Sequence, residues 1–210
     1  MVELVKLFRK YYKENFEKYE KVEIKENLLN EEKEIRIKEN NKIFLINIVA
    51  SGKSRYNIFI ENSKENSTVI VIFSKILDNS KLVLDINFKV SGELYLYVET
   101  INKTNSESDV NIKGYIEGCV VSISNMIIPN DSFNARINLN ELFYINNGKI
   151  ITIPSLLIYN NTGKGFHSSK KIKISEEEKF YLKSKGISEK DLSKMIEESI
   201  FIKTFSNNSL

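Results

Sequence analysis

Apolar and polar positions change rhythm twice along the chain. From Val2 to about Tyr19 the apolar side chains fall at Val2, Val5, Phe8, Tyr12, Phe16 and Tyr19. Gaps of three and four draw one helical stripe, with Lys and Glu on the other face. No Gly or Pro interrupts it. Residues 1–20 are therefore expected to form an amphipathic helix that packs on the rest of the protein rather than on a membrane.

From about Lys21 to Tyr159 the period is two. Alternating or continuous apolar runs occupy Lys33–Lys38, Lys42–Val49, Tyr56–Glu61, Thr68–Phe73, Lys81–Val90, Glu93–Thr100, Asp109–Glu117, Gly118–Ser124, Arg136–Leu139 and Lys149–Ile153. They are rich in Ile, Val, Phe and Tyr, and short polar clusters such as Asp78-Asn79-Ser80 separate them. Such spacing suits a sandwich, a barrel or a β-solenoid, and periodicity does not choose among them. The turns lean toward the solenoid. Hairpin signals are nearly absent, Ser91-Gly92 being the one two-residue candidate, and Asn-rich corners suit side chains that ladder from rung to rung. No tight sequence repeat is present, so any coil is irregular.

Residues 161–210 begin with a polar loop and then change to a helical period. Ser175-Glu176-Glu177-Glu178 is a capping box. The helix it opens stops at Gly186, a residue suited to the left-handed position after a helix. Ser188 caps a second helix, with Glu189 and Asp191 in its first turn. Leu192, Met195 and Ile196 lead its apolar stripe. The tail after Phe205 is expected to fray.

Composition narrows the chemistry. Among 210 residues there are 31 basic and 28 acidic ones, a net charge of +3. That balance gives no drive toward nucleic acid or anionic membrane. No run approaches a membrane span, and the Lys- and Glu-studded start lacks a signal-peptide core, so a cytoplasmic protein is expected. The single cysteine, Cys119, excludes an internal disulfide, and with one histidine, His167, one chain cannot build a His/Cys metal site of three or four ligands. Cys119 lies in the apolar run Gly118-Cys119-Val120-Val121 and reads as a buried structural thiol. Ser51-Gly52-Lys53-Ser54 looks like the end of a phosphate-binding loop, but Asn47 stands where its first Gly belongs and no helix is expected after it.

The segment Pro154-Ser155-Leu156-Leu157-Ile158, then His167, then Phe180-Tyr181-Leu182-Lys183-Ser184-Lys185-Gly186-Ile187 resembles the C-terminal end of SufB/SufD-family iron–sulfur assembly proteins, which runs P-x-L-x-I, a His, and F-Y-L-x-S-R-G-I. Upstream, Gly118-Cys119-Val120 and Ala135-Arg136-Ile137-Asn138-Leu139 are similar to the strands that lead into it. The match is strong over about a quarter of the chain. The resemblance implies a right-handed parallel β-helix core over residues 21–160, with a helical hairpin behind it. It also implies a dimer joined through the β-helix ends and a SufC-type ABC ATPase docked on the C-terminal helices. The residues expected to meet that partner are Phe180, Tyr181, Leu182, Gly186, Ile187, Leu192, Met195 and Ile196.

Three departures stand beside the match. Family members carry D-D-x-x-C-S-H, whereas this chain has Asn161-Thr162-Gly163-Lys164-Gly165-Phe166-His167, with the acidic pair gone and Gly165 in place of the cysteine. Lys185 replaces an Arg, keeping charge but losing the planar fork. The chain is also shorter than typical members, which points to a shortened SufD-like or SufB-like partner.

By the resemblance, His167 is the candidate metal ligand, for a transient cluster at a subunit interface with no cofactor held by one chain. The resulting expectation is a non-enzymatic scaffold half that pairs with itself or with a SufB-like paralogue. The rivals are a purely structural partner and a β-solenoid enzyme acting on polysaccharide, for which Asp85, Glu93, Glu99 and Asp109 are the available carboxylates.

Overall fold

In the computed structural model, which describes residues 19–38 and 41–201, every strand skips its neighbour in sequence and pairs with the next but one. Strands β1 (Glu20–Leu29), β3 (Lys42–Ser51), β5 (Ser67–Ile76), β7 (Glu93–Asn102), β9 (Cys119–Ile128) and β11 (Lys149–Ile158) form one parallel sheet. Strands β2 (Glu32–Ile37), β4 (Lys53–Asn62), β6 (Lys81–Val90), β8 (Glu107–Ile116), β10 (Arg136–Ile145) and β12 (Lys164–Ile172) form the other. The chain thus winds as a parallel β-solenoid of about 6 turns, each turn one strand from each sheet. The expected N-terminal helix lies outside the described residues, apart from Tyr19 and Glu20. No described helix is long and apolar enough to cross a membrane.

Period two is what lets this winding bury a core. In β6, Leu82, Leu84, Ile86, Phe88 and Val90 point between the sheets and are fully buried, while Lys81, Asp85, Asn87 and Lys89 alternate outward. Parallel register stacks like on like, as in the column Ile58, Ile86, Ile112. Where a column would overfill, size alternates. Gly114 sits in register between Phe88 and Phe143, a Cβ there would strike the Phe88 ring, and the two rings stack across it at 6.0 Å.

The corners need left-handed backbone, and asparagine supplies most of it. Asn30, Asn41, Asn79, Asn105, Asn134 and Asn147 all have positive φ. Asn105 Nδ2 donates to Asn79 Oδ1 at 3.1 Å, and Asn134 Nδ2 to Asn105 Oδ1 at 3.4 Å, a ladder of the expected kind. A second ladder runs along an outer face: Asn111 to Asp85, Asn140 to Asn111, Ser168 to Asn140. Ser91-Gly92 is a corner between β6 and β7, not a hairpin.

The last strand corrects the sequence reading. Residues 164–172, expected to be part of a polar loop, pair with β10 over their whole length. Their inward positions are Gly165, His167 and Ser169 rather than apolar residues, which hides the strand from a hydrophobic pattern. Helix α1 (Glu176–Ser184) opens on the Ser175–Glu178 capping box and ends before Gly186 at φ +84. Helix α2 (Glu189–Phe201) follows the Ser188 cap, whose Oγ accepts from the Asp191 amide at 3.1 Å.

Candidate functional site

The solenoid interior changes character along its axis. One even-sheet column reads Ile35, Ile58, Ile86, Ile112, Glu141, Ser169, and its neighbour reads Lys33, Tyr56, Leu84, Val110, Leu139, His167. In the odd sheet, Ile24, Ile46, Ile72, Val98 gives way to Ser124 and Pro154, and Val22, Phe44, Ile70, Leu96 to Ser122 and Thr152. These central columns are apolar through the middle coils, where burial drives folding. Polar groups enter them at both ends.

At the first coil they satisfy one another. Lys33 Nζ donates to Glu26 Oε2 at 2.8 Å, a bond that holds the ammonium pKa above its usual value. Burial, with the Glu26 charge behind it, pushes the Tyr56 phenol up to about 12.

At the last coils the polar groups do not satisfy one another. Glu141 is only 3 % exposed. Its Oε2 lies 3.2 Å from His167 Nε2, and its Oε1 has no partner. Two more buried side-chain atoms lack partners among the described residues, Ser122 Oγ and Ser124 Oγ. All three orphans belong to one coil, β9 and β10. Counted inward from the turn that joins these strands, Ser124 and Glu141 occupy matching positions on opposite sheets. A buried carboxylate with one bond costs several kcal/mol to desolvate and recovers only part of it.

His167 stands above this group on β12, an edge strand with β10 on one side and no partner among the described residues on the other. Its side chain is 27 % exposed. Nε2 faces Glu141, while Nδ1 makes no hydrogen bond with a described residue. The expected histidine is therefore at an open solenoid end, in a strand and not in a loop. Glu141 was not singled out in the sequence. The signal was available, because continuing the alternation of Ile137 and Leu139 by one step places Glu141 on the buried face.

Cys119 is half-buried at the start of β9, beside Glu93 and Lys149 in register. It sits at one corner of the solenoid and His167 lies nearer the other, so the two do not form a pair. No cluster of three or more His, Cys, Asp or Glu suited to a metal exists among the described residues. Ser51-Gly52-Lys53-Ser54 is a β3–β4 corner with Gly52 at φ +64 and no helix after it.

The carboxylates that would serve a polysaccharide enzyme are engaged elsewhere. Asp85 and Asp109 accept from Asn111 and Asn138, and Glu93 and Glu99 accept from Tyr95 and Tyr97.

The eight helical residues divide by exposure. Ile196 packs against the buried pair Tyr115 and Tyr144 with Ile172 and Ile174, anchoring α2 to the even sheet. Lys89 Nζ to Glu197 Oε2 at 2.7 Å ties it further. Leu182, Ile187 and Leu192 are half-buried, and Gly186 is at the bend between the helices. Phe180, Tyr181 and Met195 are 74 %, 60 % and 57 % exposed. Helix α1 buries no residue. Phe180, Tyr181 and Met195 form the most exposed apolar surface of the two helices.

The family model described as SUF system FeS cluster assembly, SufBD core domain, matches residues 32–200, from β2 into α2. A search of curated proteins finds no match.

Proposed function

The chain belongs to the SufBD core-domain family, and from that premise we propose that it is a non-enzymatic scaffold half that meets a second subunit through its last coil. Its role lies in SUF iron–sulfur cluster assembly. The observation that carries the proposal is the open last coil. There, β11 and β12 each lack a strand partner on one side among the described residues, and the chain's one histidine stands among them with a ring nitrogen that no described residue engages. A neutral imidazole is a competent iron ligand. One ligand per chain suffices only if another subunit supplies the rest, either a second copy or a SufB-like paralogue. Iron and sulfide are cargo in this scheme and do not reside in the protein.

The exposed Phe180, Tyr181 and Met195 are assigned to a SufC-type ATPase, with Lys194 and Glu198 as a charged rim. ATP hydrolysis belongs to that partner, and the complex is expected in the cytoplasm. Mixing the purified chain with a SufC-type ATPase should give a stable complex that Tyr181→Asp weakens. No association at micromolar concentration would remove the anchoring role. A purely structural role is distinguished by His167→Ala. Unchanged iron and sulfide loading of the assembled complex would take the ligand role away from His167 and leave the docking role intact.

A further inference from the structure

We propose that Glu141 is a positioning residue: its carboxylate fixes the tautomer and direction of the His167 ring, so that the lone pair presented at the open solenoid end is on Nδ1. This inference rests on the reading of His167 as a ligand to transient iron, and it adds a residue to that site.

Four observations converge on it. Glu141 interrupts the isoleucine column Ile35, Ile58, Ile86, Ile112 at the position where another isoleucine would extend the core. Its side chain is wholly buried, and its one protein hydrogen-bond partner is His167, at 3.2 Å. Its second oxygen is unpartnered, so the residue does not serve a hydrogen-bond network of the core. Finally, the partner ring is at the exposed end and offers its other nitrogen to no described residue.

In its ionised form the Glu141 carboxylate only accepts, and the ring then meets it with a donor: Nε2 carries the proton and Nδ1 the lone pair. The same pairing orients metal-binding histidines in general, where the outer carboxylate fixes the ring and raises its basicity. The strand geometry supports it as well. His167 is inward on β12 over Leu139, one inward place from the Ser169 that lies over Glu141. The ring is thereby held between a rigid strand and a buried carboxylate, whereas a loop histidine would sample several directions.

Because the chain has one histidine, its imidazole ¹⁵N resonances can be assigned without ambiguity. The test uses the ¹⁵N-labelled full chain at mildly alkaline pH, as wild type, Glu141→Gln, Glu141→Leu and His167→Ala. Circular dichroism serves as the control for the solenoid. In the wild type the proton should sit on Nε2 alone. In Glu141→Leu the signals should average between the two tautomers, and Glu141→Gln, which keeps an acceptor oxygen, should restore most of the Nε2–H form.

Titration with Co²⁺, followed through the paramagnetic shift of the same ring, should show affinity falling about 10–100-fold in Glu141→Leu and less in Glu141→Gln. An unchanged tautomer and unchanged, His167-dependent Co²⁺ binding in both Glu141 variants overturn the positioning role alone. Co²⁺ binding that survives His167→Ala overturns the ligand reading, and this proposal with it.

Discussion

At the first coil, the edge strands β1 and β2 expose Glu20, Lys21, Glu23, Lys25, Glu32 and Glu34 or their neighbours, and the one inward acid, Glu26, is bound by Lys33. At the last coil, β11 exposes Ile151 and Ile158 while β12 exposes Lys164, Lys170 and Lys171, and the acid beneath, Glu141, keeps one oxygen without a partner among the described residues. Among the described residues, the terminal strands at both ends lack a partner on one side. A charged edge repels strand pairing, and an apolar edge invites it. The difference teaches how to separate two uses of a buried polar group. A satisfied network closes an end of the core, whereas an unsatisfied one leaves the desolvation of its groups uncompensated.

The largest expected effect breaks the comparison at the edges. Ile158→Lys should weaken self-association or pairing with a paralogue by roughly 30-fold or more. Val22→Lys, at a half-buried inward position of the first coil, should leave the sedimentation profile unchanged. Equal effects at the two ends would mean that the last coil is not the meeting surface.

Next in size is an alkaline transition to which the first coil contributes through Tyr56. Tyr56 is held neutral up to about 12, against an ordinary value of 10.0, by its burial and then by Glu26. Its contribution is complete below pH 10 and is lost as pH rises through 12, because the unfolded chain binds fewer protons in that window. The stability lost is about 2–3 kcal/mol. Chemical denaturation in steps from pH 9 to 12 should show this decline, and Tyr56→Phe should reduce it, leaving the share that Tyr97, likewise raised to about 12 by burial, contributes.

Somewhat smaller is the gain from repairing the isoleucine column. Glu141→Ile should raise unfolding stability by about 2 kcal/mol, since well-packed apolar replacements of buried charge are often stabilising. Glu26→Ile at the other end should give no such gain, because it strands Lys33 and Tyr56. A lower melting temperature for Glu141→Ile would show that the carboxylate supports the fold.

The smallest effect concerns the appended helices. Ser175→Ala removes the acceptor for the Glu178 amide and should cost α1 about 1 kcal/mol. Hydrogen exchange should quicken in residues 176–184 and stay unchanged in β8.

Legibility in the sequence followed the strength of the local signal. The interiors of β3 to β9 were visible because apolar residues alternate there without interruption. Helices α1 and α2 were visible because Ser175, Glu178, Gly186 and Ser188 each satisfy a local backbone need. Strand β12 was missed because Gly165, His167 and Ser169 occupy its inward positions. His167 itself was legible only through a resemblance to a family. Glu141 was missed for a related reason: a single acid in an apolar run reads as the end of a strand until the run is known to continue.

What the sequence determined by itself was a chain of strands with asparagine corners and a capped pair of helices, because each of those depends on residues close together along the backbone. Only the tertiary structure decided that the strands wind in parallel, that Glu141 lies under His167, and that the buried polar groups are satisfied at one end of the coil and not at the other. These are relations between residues about 26 positions apart. They exist only once the coil has closed, because register, not local propensity, sets which side chains are stacked.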